Sequence, residues 1–246
     1  MKKILEVSNL KKIYHTESDE IIALKNISFD VLEGEFISIV GPSGCGKSTI
    51  LSILSNLTNK TSGNIAIFNN YKIGYMLQND SLLPFKTVLD NCLIGLKVKN
   101  VLNDRYRKYV ISLLNNYGLK DFIYKYPENL SGGMKQRCAL IRTLAIKPDI
   151  ILLDEAMSAL DYQTRLNISD DLYKIMKNEN KTVIMVTHDI SEAISMSDRV
   201  IVLTNRPATI KNIYKIKLKN PSTPINNRQD EYFSNFFNMI WRDLNE

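Results

Sequence analysis

Nine consecutive residues carry the glycines, the lysine and the hydroxyls that a triphosphate needs: Gly41-Pro42-Ser43-Gly44-Cys45-Gly46-Lys47-Ser48-Thr49. Glycines let the backbone curl until successive N–H groups face inward at phosphate oxygens, at the positive end of a following helix. Lys47 would bridge the β- and γ-phosphates, and the Ser48 hydroxyl would hold Mg2+. The pattern carries meaning only between a strand and a helix. An apolar run over residues 36–40 precedes it and another over 50–57 follows. The segment reads as a phosphate-binding loop in a chain that binds a nucleoside triphosphate.

Two further clusters fit the same chemistry. Residues 150–153 are apolar and run into Asp154-Glu155, a strand ending in two carboxylates. Neighbours on a strand point to opposite sides, so the two acids should divide the labour. Asp154 would meet Mg2+ from behind its immediate ligands or through water, and Glu155 would face the γ-phosphate and polarise an attacking water. Leu130-Ser131-Gly132-Gly133-Met134-Lys135-Gln136-Arg137 opens a helix whose first N–H groups, at Ser131, Gly132 and Gly133, form a second anion site. Two such helix starts raise a question of geometry. If they cannot both reach one nucleotide within a subunit, a partner must supply the second.

The elements that position these residues follow from periodicity. Residues 5–7, 27–31 and 36–40 read as strands, with Glu33-Gly34 as a turn, and 63–68 and 73–77 as two more. From 88 to 146 apolar residues recur at near-helical spacing, as in Val110, Ile111, Leu113 and Leu114, predicting an inserted helical unit over about 79–146. The tetrads 150–153 and 183–186 suit central strands of a buried parallel sheet, with a helix over 162–177 between them. Residues 201–203 and 214–218 close the strand pattern within a terminal segment of about 200–246. Lys215, Lys217 and Lys219 there alternate as on a protected edge strand. Phe233, Phe236, Phe237 and Ile240 form a helical stripe over 230–244, read as packing.

Composition narrows the class. With 246 residues, 44% hydrophobic and 24% charged, the chain can bury a full core as an ordinary α/β unit. No apolar run reaches the 18 or so residues that span a bilayer, and the apolar start Ile4-Leu5 stops at Glu6. The chain is expected to stay in the cytoplasm. Cys45, Cys92 and Cys138 are odd in number and lack metal-ligand spacing, so they read as reduced bystanders. The net charge of +6 comes mostly from scattered lysines, without an Arg-rich helix or basic aromatic stripe, so nucleic acid is not an expected partner.

The chain from Tyr14 to the strands after His188 resembles the ATP-binding cassette of ABC transporters, and residues 130–137 match that family's signature. The resemblance implies a P-loop NTPase, RecA-like α/β core with an N-terminal antiparallel β subdomain and the inserted helical subdomain. It implies ATP and Mg2+ as ligands, and two copies sandwiching two ATP molecules head to tail. Each copy's signature then caps the γ-phosphate held by the other's loop. Residue by residue, Tyr14 stands where an aromatic ring stacks on adenine. Gln78 stands where a glutamine touches Mg2+ and the water. Ser158 and Asp161, in Ser158-Ala159-Leu160-Asp161, stand at the dimer interface, and His188 where a histidine contacts the γ-phosphate. His15 reads only as a solvated loop residue. Nine residues separate Phe68 from Gln78, a shorter loop than the family's.

Leu82-Leu83-Pro84-Phe85 is apolar for a solvated loop, which usually marks a contact. In the family, residues 79–86 would receive the membrane permease. Asp198-Arg199 through Arg206-Pro207-Ala208, and Met76 through Pro84, resemble the ATPase subunits of nitrate, sulfonate and taurine importers; relatives importing pyrimidine precursors look much alike. The implied work is uptake of a small solute, delivered by a solute-binding protein, from the cytoplasmic face of a bacterial membrane. The competing reading is a non-transport ABC ATPase acting as a signalling or nucleic-acid-associated module. Nucleic-acid relatives carry a long coiled-coil insertion or two fused cassettes, neither visible here.

Overall fold

A computed structural model describes residues 2–15, 19–157 and 161–246. In chain order its elements are β1 (Lys3–His15), β2 (Glu20–Leu32), β3 (Phe36–Val40), α1 (Lys47–Leu54), β4 (Ser62–Ile67) and β5 (Ile73–Met76). Then come α2 (Val88–Val98), α3 (Asp104–Asn116), α4 (Gly132–Ala145), β6 (Ile150–Asp154), α5 (Tyr162–Asn178) and β7 (Thr182–Val186). The chain finishes with α6 (Ile190–Met196), β8 (Arg199–Leu203), β9 (Ala208–Lys215), α7 (Pro224–Asn227) and α8 (Phe233–Asn245). The strands lie in the order β4-β1-β2-β9-β8-β3-β7-β6-β5. From β8 to β5 all neighbours are parallel, while β1 runs antiparallel to both β2 and β4.

Every residue of β3, β6 and β7 is buried, which is why these strands are mainly apolar, with Ser38, Asp154 and Thr182 as buried polar exceptions. Their alternation sorts two cores. Ile151, Leu153, Val183 and Met185 face the layer of α2, α4 and α5. Ile150, Leu152, Ile184 and Val186 face α1 and the β1–β2 pair. A third cluster joins Val200 and Val202 to Ile240, with Phe233, Phe236 and Phe237 packed against it, so the aromatic stripe of α8 is packing, as expected.

The structure departs from the periodicity at several elements. β1 extends through Tyr14 and His15, because its charged second half pairs with β2 across several register shifts that break strict alternation. His15 therefore ends a strand, 3.1 Å from Glu20. The strand expected over 214–218 is β9, which starts at Ala208, ends at Lys215 and leaves Lys217 and Lys219 outside. It is not an edge: β8 pairs on one side and β2, through Leu24–Ala208 and Asn26–Thr209, on the other. Helices α6 and α7 went unpredicted, being too short to show a period.

Helix α6 carries an unusual burial. Asp189 caps it, accepting from the Ser191 and Glu192 N–H groups, and Glu192 is only 4% exposed. Its Oε2 accepts from Thr187 Oγ1, while Oε1 is buried without a hydrogen-bond partner. Burial pushes this carboxyl up to about 7; the Thr187 bond opposes the shift, Asp189 adds to it, and Arg165 and Arg228 oppose it. Below the ordinary carboxyl range native and unfolded chains both hold the proton. Between about 4.5 and about 7 only the native chain does, so stability falls as pH rises through that window. Glu192→Gln removes the titration. Urea unfolding should show the variant gaining up to about 3 kcal/mol on wild type between pH 5 and pH 8. A difference independent of pH would contradict the assignment.

Candidate functional site

The loop after β3 turns into α1 at Gly46, whose φ is 115°. A Cβ there would also sit 2.9 Å from Leu24 Cδ2, so the turn demands glycine. Lys47 is 6% exposed, and its Nζ donates to the carbonyls of Gly41 (2.9 Å) and Pro42 (3.0 Å). The ammonium thus lies across the loop. Cys45 is buried and its N–H donates to the Pro42 carbonyl, so its thiol faces the core rather than a ligand. Burial pushes that thiol up, against the pull of the Lys47 charge. A cleft of about 310 Å³ lies above Ser43, Gly44 and residues 46–49, and Glu155 lines it too.

β6 delivers both acids. Asp154, 7% exposed, accepts from Ser48 Oγ at Oδ1 (2.8 Å) and from the Tyr75 hydroxyl at Oδ2 (2.8 Å). Glu155 turns the other way: its Oε2 accepts from Gln78 Nε2 (3.2 Å) and lies 3.4 Å from His188 Nδ1. The acids divide as expected, but strand alternation is not the reason. Glu155 lies beyond the strand at φ 43°, a left-handed conformation costly for a non-glycine residue, and its N–H donates to the Val186 carbonyl. The neighbouring strand holds the strained residue in place.

His188 follows β7 on a short turn. Thr187 Oγ1 accepts from the Asp189 N–H (3.0 Å) and donates to Glu192, and Asp189 lies 3.6 Å from Arg165. The backbone on both sides of His188 is thereby fixed while its side chain stays half-exposed. Tyr14 closes the other flank, its hydroxyl 3.5 Å from Thr49 Oγ1.

Ser131 caps α4, accepting from the Met134 N–H, and Ser131 and Gly132 are exposed. Gly133 is buried where a Cβ would meet Ile168 Cδ1 at 3.1 Å, so α4 packs closely on α5. Neither Ser131 nor Gly132 lines the cleft above the phosphate loop. Asp161 caps α5 by accepting from the Thr164 N–H, and the Thr164 side chain first, with that N–H adding to it, holds its carboxyl below the usual range; Ser158 lies outside the described residues. The expected apolar loop is only partly exposed. Leu82 packs against the helical core and Leu83 is half-buried, while Phe85 is 71% exposed. Buried Asn91 explains the inward turn: its Nδ2 donates to the carbonyls of Leu83, Lys86 and Thr87, and its Oδ1 accepts from the Leu83 N–H.

The oxygen pair Ser48 Oγ and Asp154 Oδ1 suits a small hard cation. No group of three or more His, Cys, Asp or Glu able to hold a metal occurs among the described residues. So sparse a protein donor set fits Mg2+, which takes its other ligands from phosphates and water, and not zinc or calcium. Gln78, expected at the metal, donates from its Nε2 to Glu155.

Three residues of this constellation escaped the motif reading: Tyr75, Thr187 and Glu192. Tyr75 was within reach of it. It pairs with Leu152 across β5 and β6, and Leu152 shares a face with Asp154 two residues on.

Comparisons agree with this geometry. The family profile described as ABC transporter matches residues 24–158. An uncharacterized ABC transporter ATP-binding protein, YtlC of Bacillus subtilis, is 42% identical over 98% of this chain and 95% of its own length. The aliphatic sulfonates import ATP-binding protein SsuB 1 of Shouchella clausii is 42% identical over 88% of this chain and 83% of its own. The dimeric post-hydrolysis structure of the ATP-binding cassette MJ0796, bound to ADP and Pi, superposes with a TM-score of 0.75 at 34% identity, covering 87% of this chain and 99% of that one. With a phosphate loop, a paired acid terminus on β6 and this likeness along nearly its whole length, the chain belongs to the ABC transporter family as one of its ATPases.

Proposed function

We propose that the chain powers uptake of a small solute of the nitrate, sulfonate or taurine kind, as two copies bound to a membrane permease. The observation that carries the catalytic part is the placement of Glu155 Oε2 between Gln78 Nε2 and His188 Nδ1, beside the cleft above the phosphate loop. A carboxylate oriented from two sides can accept a proton from a water attacking the γ-phosphate. Lys47 and the loop N–H groups would hold the phosphates, and Tyr14, beside Thr49, would stack on adenine. When bound, Mg2+ supplies charge neutralisation at the β- and γ-phosphate oxygens, and Ser48 and Asp154 would hold it.

Exposed Ser131 and Gly132, outside this copy's cleft, suit a head-to-tail pair in which each signature completes the other copy's site. The cassette related by fold is itself dimeric. Ser158 and Asp161 would then line the junction.

Coupling to the permease runs through residues 79–86. β5 ends just before Gln78, and Asn91 together with Arg142, which donates to the carbonyls of Asp80 and Ser81, fixes the loop that presents Phe85. A displacement of Gln78 on closure around ATP would thus reach the exposed ring. No helix among the described residues is long and apolar enough to cross a membrane. The permease would supply the passage, and the chain would sit at its cytoplasmic face, with a solute-binding protein serving the far side.

Glu155→Gln should lower turnover by about 10² to 10⁴ while sparing ATP binding, since a general base contributes on that scale. Normal hydrolysis by the variant would contradict the assigned role. Phe85→Ser should leave the ATPase rate of the isolated chain unchanged and weaken co-purification with the permease. Undiminished recovery of the permease would remove the docking role.

A further inference from the structure

We propose that Tyr75 is a positioning residue for Mg2+: its hydroxyl orients the Asp154 carboxylate so that Oδ1 is presented beside Ser48. This rests on the reading above in which Ser48 and Asp154 hold the metal. Nothing intrinsic to an aspartate fixes its carboxylate plane, because the terminal torsion is broad and roughly two-fold. Partners must fix it. Asp154 Oδ1 is taken by Ser48 Oγ and Oδ2 by the Tyr75 hydroxyl, each at 2.8 Å.

Ser48, Asp154 and Tyr75 form one chain of hydrogen bonds linking α1, β6 and β5. Register supplies the reach: Tyr75 pairs with Leu152, placing its ring on the face that Asp154 shares. A phenylalanine could fill the same space but could not donate. Loss of a group that orients a metal-holding side chain typically lowers metal affinity about 10- to 100-fold.

The test is a titration of a fluorescent ATP analogue against Mg2+ for wild type, Tyr75→Phe and Asp154→Asn, with a parallel titration in EDTA. Tyr75→Phe should raise the Mg2+ half-saturation about tenfold, leave the affinity in EDTA unchanged, and recover the wild-type hydrolysis rate at high Mg2+. Tyr71→Phe removes a hydroxyl bonded to exposed Glu33, outside the cluster, and should match wild type. Two outcomes for Tyr75→Phe would overturn the proposal: an unchanged half-saturation, or an equal loss of affinity with and without Mg2+. A full Mg2+ response in Asp154→Asn would show that the metal reading itself had failed, and Tyr75's role with it.

Discussion

The hydrogen bond between Ser48 Oγ and Asp154 Oδ1 joins the first turn of α1 to the last residue of β6. It brings a helix whose N-terminus favours anions to a strand end that carries negative charge, with Asp154 buried and Ser48 exposed. On one side of that bond lies the loop with Lys47; on the other the chain turns through Glu155 toward Gln78 and His188. Four parallel strands, β3, β5, β6 and β7, end at this region, and each leads into one part of the constellation. That is the crevice at the carboxyl ends of strands where α/β sheets place their ligands.

Much of this was legible from residue order because it is local. A phosphate loop needs its own glycines, a central strand its own apolar run, and a cap its own side chain, so residues 36–57, 150–155 and Ser131 could be read without neighbours. What escaped depends on strands far apart in sequence. β9 lies inside the sheet because Ala208 and Thr209 pair with Leu24 and Asn26, roughly 180 residues earlier, and no periodicity within β9 encodes that. Leu82 turns inward because Asn91, on the next helix, engages the loop's carbonyls. The parting of the Asp154 and Glu155 side chains was expected from alternation but arises from a left-handed residue held by Val186.

The polar groups beneath the site follow the same rule. Glu192 reads in sequence as one acid on a short helix; only packing shows that it is sealed under Thr187, next to the residue that presents His188. Tyr75 reads as one more aromatic in a strand until its hydroxyl is placed on Asp154. Both act through neighbours, which is why motif spacing is silent about them. Cys45 is the reverse case: it lies inside the loop motif, yet its side chain faces the core.

The site in one copy is complete from Lys47 to His188 but is not lined by Ser131 or Gly132, so the central claim is that a second copy supplies them. Combining a Lys47→Ala chain with a Ser131→Arg chain tests it most directly, because a head-to-tail pair of the two contains one site with both residues intact. The account predicts that each variant alone is inactive in ATP hydrolysis and that the mixture regains activity. A mixture as inactive as its parts, under conditions where the wild-type chains pair and hydrolyse ATP, would contradict it.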